Sequence, residues 1–327
     1  MKLSHRRQFL HLATGAAALP AVSCIAAAQT FPTRPITMTV GFAAGGGNDT
    51  IARVVVQSMT RFLGQNVIIE NVAGADGSVA AGRVARARPD GYTITLGSVG
   101  TQVLNGAYYS LPYDVLKDFA PISLLVTIPV LFFARKTLPA SNLTELIAWL
   151  KLNPNRASVG RATLPYHLIA ALFQKKTGTQ FAIIPYRGGA PAVQDLLAGQ
   201  IDFMISSPDK LPLVRDGSIK VFAATSDTRI AAAPDVPTFV EMGLPALSYS
   251  DWTALFAPKG TPTAVVGKLN AAAVQALADP IVRSRLVDLG FEFFPRDKET
   301  PEALAAMQKA DARKWWPIIK EFGIKAE

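Results

Sequence analysis

Ile36-Thr37-Met38-Thr39-Val40-Gly41-Phe42-Ala43-Ala44-Gly45-Gly46-Gly47-Asn48-Asp49-Thr50 is the stretch that decides the fold. Ile36, Met38, Val40 and Phe42 alternate with other residues, the period-two pattern of a strand with one buried face. Three consecutive glycines end it. Asn48 or Asp49 can then cap a helix whose apolar side carries Ile51, Val54, Val55, Met59, Phe62 and Leu63, with Gly64 as its stop. Strand, glycine-rich turn and helix, in that order, are the repeating unit of an α/β protein.

The unit recurs along the chain. Residues 67–70 read as a strand, 74–78 as a second glycine-rich turn and 79–88 as a helix. Asp90-Gly91 turns into a strand over 92–97, and a β-rich passage covers 119–134. Asn142 with Glu145 makes a capping box for a helix through Leu152. Further strands are read at 181–185, 201–205 and 219–224, with a loop at Arg187-Gly188-Gly189 and a helix over 190–198 closed by Gly199. The C-terminal part reads as helices over 262–278, 280–289 and from Pro301 to about residue 322. Glu299 and Glu302 look like capping acids on a solvated helix start.

The beginning of the chain sets the compartment. Lys2, Arg6 and Arg7 precede Gln8-Phe9-Leu10, which reads as a twin-arginine export signal, and a weakly apolar run ends in Ala26-Ala27-Ala28. Small residues there suit a signal peptidase, with cleavage near Ala28 and a periplasmic mature protein. The run is short of the ~20 strongly apolar residues of a membrane span. Val22-Ser23-Cys24 loosely resembles a lipoprotein box, but Ala21 stands where leucine is usual. Cleavage removes His5, His11 and Cys24 and leaves a chain with His167 as its one histidine and no cysteine. Cysteine nucleophiles, disulfides and zinc sites built on several histidines are thereby excluded, and no metal is expected.

Half of the 327 residues are hydrophobic and 17% are charged, which describes a folded chain long enough for two domains. The formal charge of +9 falls by three when Lys2, Arg6 and Arg7 leave. Basic residues are scattered, without a stripe carrying interleaved aromatics, so nucleic acid is not an expected partner. A mild positive field suits small anions, or serves solubility alone.

Glycine-, serine- and threonine-rich loops precede helix starts at 43–50, 73–79, 98–102, 160–167 and 187–190. Such starts present unpaired backbone N–H groups and the positive end of the helix dipole, and glycine lets a ligand oxygen approach the main chain. Nucleotide motifs fail on the same residues. Thr50 stands where a dinucleotide fingerprint needs Gly or Ala, no Gly-Lys-Ser/Thr follows the glycines, and no Gly-x-Ser-x-Gly elbow occurs. No cofactor is expected. A hydrolase would have to use His167; the simpler reading is a histidine near a helix start that donates one hydrogen bond.

With these residues in view, the chain resembles the Bug receptors, the extracytoplasmic solute-binding proteins of tripartite tricarboxylate transporters. The likeness begins at Arg34-Pro35-Ile36, runs through Phe42 to Asp49, and continues at Gly74-Ala75-Asp76-Gly77, Pro89-Asp90-Gly91-Tyr92 and Leu111-Pro112-Tyr113-Asp114. Pro185-Tyr186-Arg187-Gly188-Gly189-Ala190, Pro234-Asp235-Val236-Pro237 and Ala257-Pro258-Lys259-Gly260-Thr261-Pro262 carry it to the C-terminal part. The resemblance implies an α/β, type II periplasmic-binding-protein fold: two α/β domains, 29–131 with 254–327 and 132–253, joined by crossover strands around a ligand cleft. It also implies a receptor rather than an enzyme, a monomer, and a carboxylate ligand handed to a membrane permease. A periplasmic sensor feeding a signalling partner would share the same binding chemistry.

By that resemblance the ligand is held by the loop containing Phe42, Ala43, Ala44, Gly45, Gly46, Asn48 and Asp49, and by Ser98 and Thr101. The second domain contributes Gly160, Arg161, Thr163, Tyr166 and His167, the turn Arg187, Gly188 and Gly189, and Ser206 with Ser207. Departures from the family pattern bear on the ligand. Ala44 replaces a usual proline, and Gly160-Arg161-Ala162-Thr163-Leu164-Pro165-Tyr166 replaces a smaller loop. Ser206 stands where relatives that bind amino acids or hydroxy acids often carry Asp, so a ligand without an amine is expected. Arg161 could grip a carboxylate with two hydrogen bonds. A flat dicarboxylate such as terephthalate or phthalate fits this reading.

Overall fold

The computed structural model describes residues 31–321 and 323, so the export-signal reading of residues 1–28 lies outside the described residues. The chain opens with β1 (Ile36–Val40), α1 (Gly47–Leu63), β2 (Val67–Asn71), α2 (Ser78–Ala85) and β3 (Thr93–Ser98). A π-helical turn over Gly100–Leu104 leads into α3 (Asn105–Tyr108), and β4 (Phe119–Pro129) follows. The next part alternates β5 (Leu131–Arg135), α4 (Leu143–Leu152), β6 (Ser158–Arg161), α5 (Leu164–Thr177), β7 (Ala182–Pro185) and α6 (Gly189–Leu197). It ends with β8 (Phe203–Ser206), α7 (Leu211–Arg215) and β9 (Ile219–Ala224). The chain closes with β10 (Ser250–Pro258), α8 (Thr263–Ala278), α9 (Pro280–Asp288), β11 (Glu292–Phe293) and α10 (Pro301–Glu321).

These elements build two α/β lobes, as the sequence implied. The first sheet has the order β11-β4-β10-β3-β1-β2 and the second β7-β6-β8-β5-β9. Within the first, β1, β2 and β3 are parallel while β10 lies antiparallel between β3 and β4. Within the second, β6, β7 and β8 are parallel and β5 runs against both β8 and β9. Parallel strands put their helix starts at one sheet edge, which is where ligands meet open α/β sheets.

The chain crosses between the sheets at Val130 and again between Ala224 and Ser250. The two crossings are bonded to each other. Thr225 N–H donates to the Val130 carbonyl at 2.8 Å, and the Thr225 hydroxyl accepts from Val130 N–H at 3.2 Å. Tyr249 N–H donates back to the Thr225 carbonyl at 2.8 Å. Buried backbone groups need such partners, and here they tie the two crossover segments to each other.

One apolar core lies within the first lobe, and another runs continuously from the first lobe into the second. α1, α8 and α9 pack Ile51, Val55, Met59, Leu269, Ala273 and Leu286 against the first sheet. A ring cluster of Phe132, Phe173, Phe203 and Phe239 fills the second lobe, with Phe132 and Phe239 edge to face at 4.7 Å.

Local signals read from the sequence are mostly present. The Asn142 side chain accepts from Glu145 N–H at 2.9 Å, and the Glu145 carboxylate accepts in turn from Ser141 N–H at 2.8 Å. Gly64, at φ 66°, closes α1 as expected. Three readings are corrected and one strand was missed. Gly46, rather than Asn48 or Asp49, stands at the α1 N-cap position, because Asp49 is already inside the first turn. Phe62 is exposed at the rim of α1 instead of packing inside. Glu299 is buried, its backbone carbonyl accepting from Asn270 at 2.7 Å, while the Thr300 hydroxyl accepts from Ala303 N–H at 3.2 Å at the α10 start. The strand β10 went unread: it is buried on both faces, so its apolar run shows no alternation.

Candidate functional site

Three helix starts, from both lobes, border one small compartment of the crevice. α1 begins behind Gly46, α5 behind Thr163 and α6 behind Gly188, and none of these N-cap residues lends a side chain to its helix. The first-turn N–H groups of a helix have no intrahelical acceptor, and the dipole adds a partial positive charge. The compartment measures about 30 Å³. Gly46, Gly47 and Asn48 approach it from the first lobe; Thr163, Tyr166, Gly188, Gly189, Ser206 and Ser207 approach it from the second. The buried Asn48 Oδ1 and Thr163 Oγ1 have no hydrogen-bond partner among the described residues. Buried polar atoms are nearly always paired, so both point to a polar guest.

Glycine is needed here for close approach. A Cβ on Gly47 would lie 2.5 Å from the Ser207 hydroxyl of the facing lobe. Gly188 sits at φ 150°, a conformation L side chains rarely adopt, and a Cβ there would press on Ala43 across the crevice at 3.3 Å. Ala43 N–H reaches the Arg187 carbonyl at 3.4 Å, so the lobes touch through their main chains.

A wider compartment of about 300 Å³ continues from the first. Phe42, Tyr109, Pro185 and Tyr186 line it with flat rings, and Asp76, Arg161 and Arg187 supply charge, so that polar and apolar surface are present in about equal measure. Arg161 Nη1 donates to Asp76 Oδ1 at 3.0 Å and Oδ2 at 3.1 Å, joining the end of β6 to the loop before α2. The Tyr109 hydroxyl donates to Asp76 Oδ2 at 2.9 Å, and Asn105 Nδ2 donates to the Asp76 carbonyl at 2.9 Å. Both charged side chains are about nine-tenths buried. Burial and the neighbouring Asp76 charge hold the Tyr109 phenol well above its ordinary value, so it stays a donor.

The residues expected at the site fall into three groups. Phe42, Gly46, Asn48, Thr163, Tyr166, Gly188, Gly189, Ser206 and Ser207 come together at the smaller compartment, and Arg161 and Arg187 line the wider one. Ala43, Gly45 and Gly160 shape the walls from behind: Gly45 faces Ala190 across the crevice, and Gly160 packs beside Ile201 and Tyr186. Ala44 is exposed on the outer turn of the loop. Ser98 and Thr101 are buried and bonded to each other, Ser98 N–H to Thr101 Oγ1 at 2.9 Å, and lie outside both compartments.

Two expectations change in kind. Asp49 has its carboxylate taken up by Gly45 N–H at 2.8 Å, Arg53 Nε at 2.8 Å and Asn71 Nδ2 at 3.0 Å, so it braces the glycine loop. Arg161 does not point freely at a ligand; a guanidinium this buried needs a counter-charge, and Asp76 provides it. His167 is half-buried, and its Nδ1 lacks a partner among the described residues. Burial first, and the Arg161 charge second, push its imidazole below the ordinary range toward the neutral form.

Asp251, Asp76, Tyr109 and Tyr186 were missed as site residues. Asp251 leaves one trace in the sequence, a lone acid immediately before the apolar run Trp252-Thr253-Ala254-Leu255-Phe256. It is buried at 4% exposure and lines the smaller compartment. Its Oδ1 accepts from Trp252 N–H at 2.8 Å and Val99 N–H at 3.2 Å. Burial nevertheless pushes the carboxyl up to about 7. Among the described residues no cluster of His, Cys, Asp or Glu could hold a metal ion, and no helix is long and apolar enough to cross a membrane.

Residues 51–324 match the model of the tripartite tricarboxylate transporter family receptor. The chain is 34% identical to BugT of Bordetella pertussis over 303 residues, covering 91% of this chain and 92% of that one. A UPF0065 protein of Agrobacterium vitis is 37% identical over 300 residues, 91% of this chain and 87% of that one. Among solved structures, the periplasmic binding protein BugD superposes with a TM-score of 0.87 at 36% identity, covering 91% of this chain and all of that one. MatC from Rhodopseudomonas palustris with bound malate gives 0.84 at 37% identity, covering 88% of this chain and 100% of that chain. Rpa4515 of R. palustris with adipate gives 0.85 at 31% identity, covering 90% and 99%.

Two stability measurements check this geometry. Asp76→Asn leaves Arg161 buried without a counter-charge and is expected to lower stability by about 3 kcal/mol, whereas Asp76→Asn with Arg161→Met recovers most of the loss. Simple additivity in urea denaturation contradicts the pair. Asp251 holds its proton in the folded state up to about pH 7 but loses it near 3.8 when unfolded, so rising pH across that window removes stability. At about 1.4 kcal/mol per pH unit the loss approaches ~4 kcal/mol. Asp251→Asn is therefore expected to melt higher than the parent at about pH 8 and with little difference at about pH 4. Equal melting at both pH values contradicts the account.

Proposed function

The chain belongs to the tripartite tricarboxylate transporter receptor family, and from that premise we propose that it is a periplasmic solute-binding receptor for a small dicarboxylate. One carboxylate of the ligand docks among the starts of α1, α5 and α6, and the convergence of these three uncapped helix N-termini from both lobes is the observation that carries the reading. Backbone N–H groups and the hydroxyls of Thr163 and Ser206 suit a carboxylate without a matching cation.

The body of the ligand then extends into the wider compartment, between Phe42, Tyr109, Pro185 and Tyr186. Its walls favour a flat or apolar spacer, and an aromatic dicarboxylate such as terephthalate or phthalate fits them. The far carboxylate meets Arg187 and the outer side of the Arg161–Asp76 pair. Relatives crystallised with malate and with adipate support the ligand class. Binding groups come from both lobes, so the ligand favours the closed arrangement, and the crossover connection at Val130 and Thr225 acts as the hinge. The closed form is what docks to the membrane permease. The export signal and the monomeric state belong to the same proposal. A hydrolase centred on His167 finds no support in the geometry, since the imidazole Nδ1 that an orienting acid would hold is without a partner among the described residues.

A thermal-shift screen of carboxylates tests the reading. A ligand at a hundredfold excess over Kd is expected to stabilise the fold by about 2.7 kcal/mol. Ser206→Asp places a like charge in the smaller compartment and is expected to weaken dicarboxylate binding at least about tenfold. Absence of any shift across terephthalate, phthalate, adipate and malate contradicts the receptor; tighter dicarboxylate binding by Ser206→Asp contradicts the docking position.

A further inference from the structure

The smaller compartment contains a carboxyl group of its own. Asp251 shares it with Asn48, Thr163, Ser206 and the three helix starts, in a space of about 30 Å³. A ligand carboxylate seated there lies against Asp251. Two ionised carboxylates cannot share so small a volume without severe repulsion; one of the pair keeps a proton.

We infer that Asp251 holds the inner carboxylate of the ligand through a shared proton, so that capture of a dicarboxylate draws one proton from solution. This rests on the reading of the cleft as a carboxylate receptor and adds a condition to it.

Burial is the largest influence on Asp251 and favours its acid form, against hydrogen bonds that favour the ionised one. Both backbone N–H bonds fall on Oδ1, which leaves Oδ2 to carry the proton. From α10, Asp311 accepts from Trp252 Nε1 at 2.7 Å and adds a negative field behind the site. Tyr166 of α5 and Tyr249 before β10 face it as phenols that burial keeps un-ionised, and the Tyr249 hydroxyl, as a donor to the carboxyl, opposes the upward shift in part. From the segment after β8, Lys210 has its Nζ bound to Asp209 Oδ2 at 2.6 Å, and Asp209 also accepts from Ser207 at 2.6 Å. On α1, Asp49 is matched by Arg53. The Asp251 carboxyl is therefore buried, already shifted toward its acid form, and placed to donate. When the acid form is present, its O–H donates to the incoming carboxylate oxygen. When it is ionised, a proton from buffer enters with the ligand and ends between the two oxygens.

The consequence is a selection rule. Carboxylates bind best at and below neutral pH, and affinity falls up to about tenfold per pH unit once Asp251 ionises in the free receptor. A ligand presenting only a neutral polar end to this compartment escapes that dependence.

Isothermal titration calorimetry of the unaltered protein with adipate and with terephthalate provides the test. At about pH 8, where both probes are fully ionised, titrations in phosphate and in Tris are expected to give apparent enthalpies that differ by close to one proton's buffer ionisation. Affinity is expected to drop about tenfold or somewhat less between about pH 7.5 and about pH 8.5. Asp251→Asn supplies a permanent N–H donor and is expected to bind with no proton uptake and a flat pH profile. Equal enthalpies in the two buffers with unchanged affinity overturn the inference while leaving the receptor intact. Retention of the pH slope in Asp251→Asn overturns it as well. Failure of both probes to bind at any pH removes the receptor reading and this inference with it.

Discussion

Arg161 and Asp76 bring opposite charges together across the crevice, and the shape of the candidate site rests on that contact. Each side chain is almost fully withdrawn from water, a position in which an unpaired charge is costly. Asp76 is held from its own side by Tyr109 and Asn105, so the loop that meets Arg161 has a fixed shape. The pair therefore joins the two lobes through a fixed contact in the arrangement seen. Glycines complete the fit, since Gly47 and Gly188 admit the opposing lobe at distances that a side chain would block.

This arrangement divides the crevice by chemistry. One end gathers helix dipoles and hydroxyls around a very small volume, with Asp251 as the acid in their midst. The other is wider, walled by rings and proline, and edged by charge. Recognition of a carboxylate by main-chain N–H groups spares the protein a buried cation at the inner end, and without a cation Asp251 keeps its proton. On the proposed docking, the acid that raises the energy of the folded state at alkaline pH is also the group that meets the ligand's charge.

Much of the fold was legible because its signals are local. Alternation over Ile36 to Phe42, the glycine stop after Leu63 and the Asn142–Glu145 box all act within a few residues of chain. The glycine-rich helix starts were legible for the same reason, and several of them do meet. What the sequence hid is long-range. Asp76 and Arg161 are 85 positions apart, and nothing in either loop announces the other. Read alone, Arg161 looks like a free hand for a ligand. Asp251 lies in a strand buried on both faces, where periodicity is silent and a single acid looks like an edge residue. The same silence concealed β10 itself, although it sits at the centre of the first sheet.

The central claim is that a dicarboxylate is gripped by both lobes at once and so shifts them toward one closed arrangement. Ile281 of α9 and Leu152 of α4 are exposed on opposite lobes at 74% and 82%. With Ile281→Cys and Leu152→Cys spin-labelled in a chain lacking Cys24, electron-spin distance measurements report the lobe separation directly. Saturating dicarboxylate is predicted to collapse a broad distribution onto a single short distance. An unchanged distribution, recorded while calorimetry shows the ligand bound, contradicts the account.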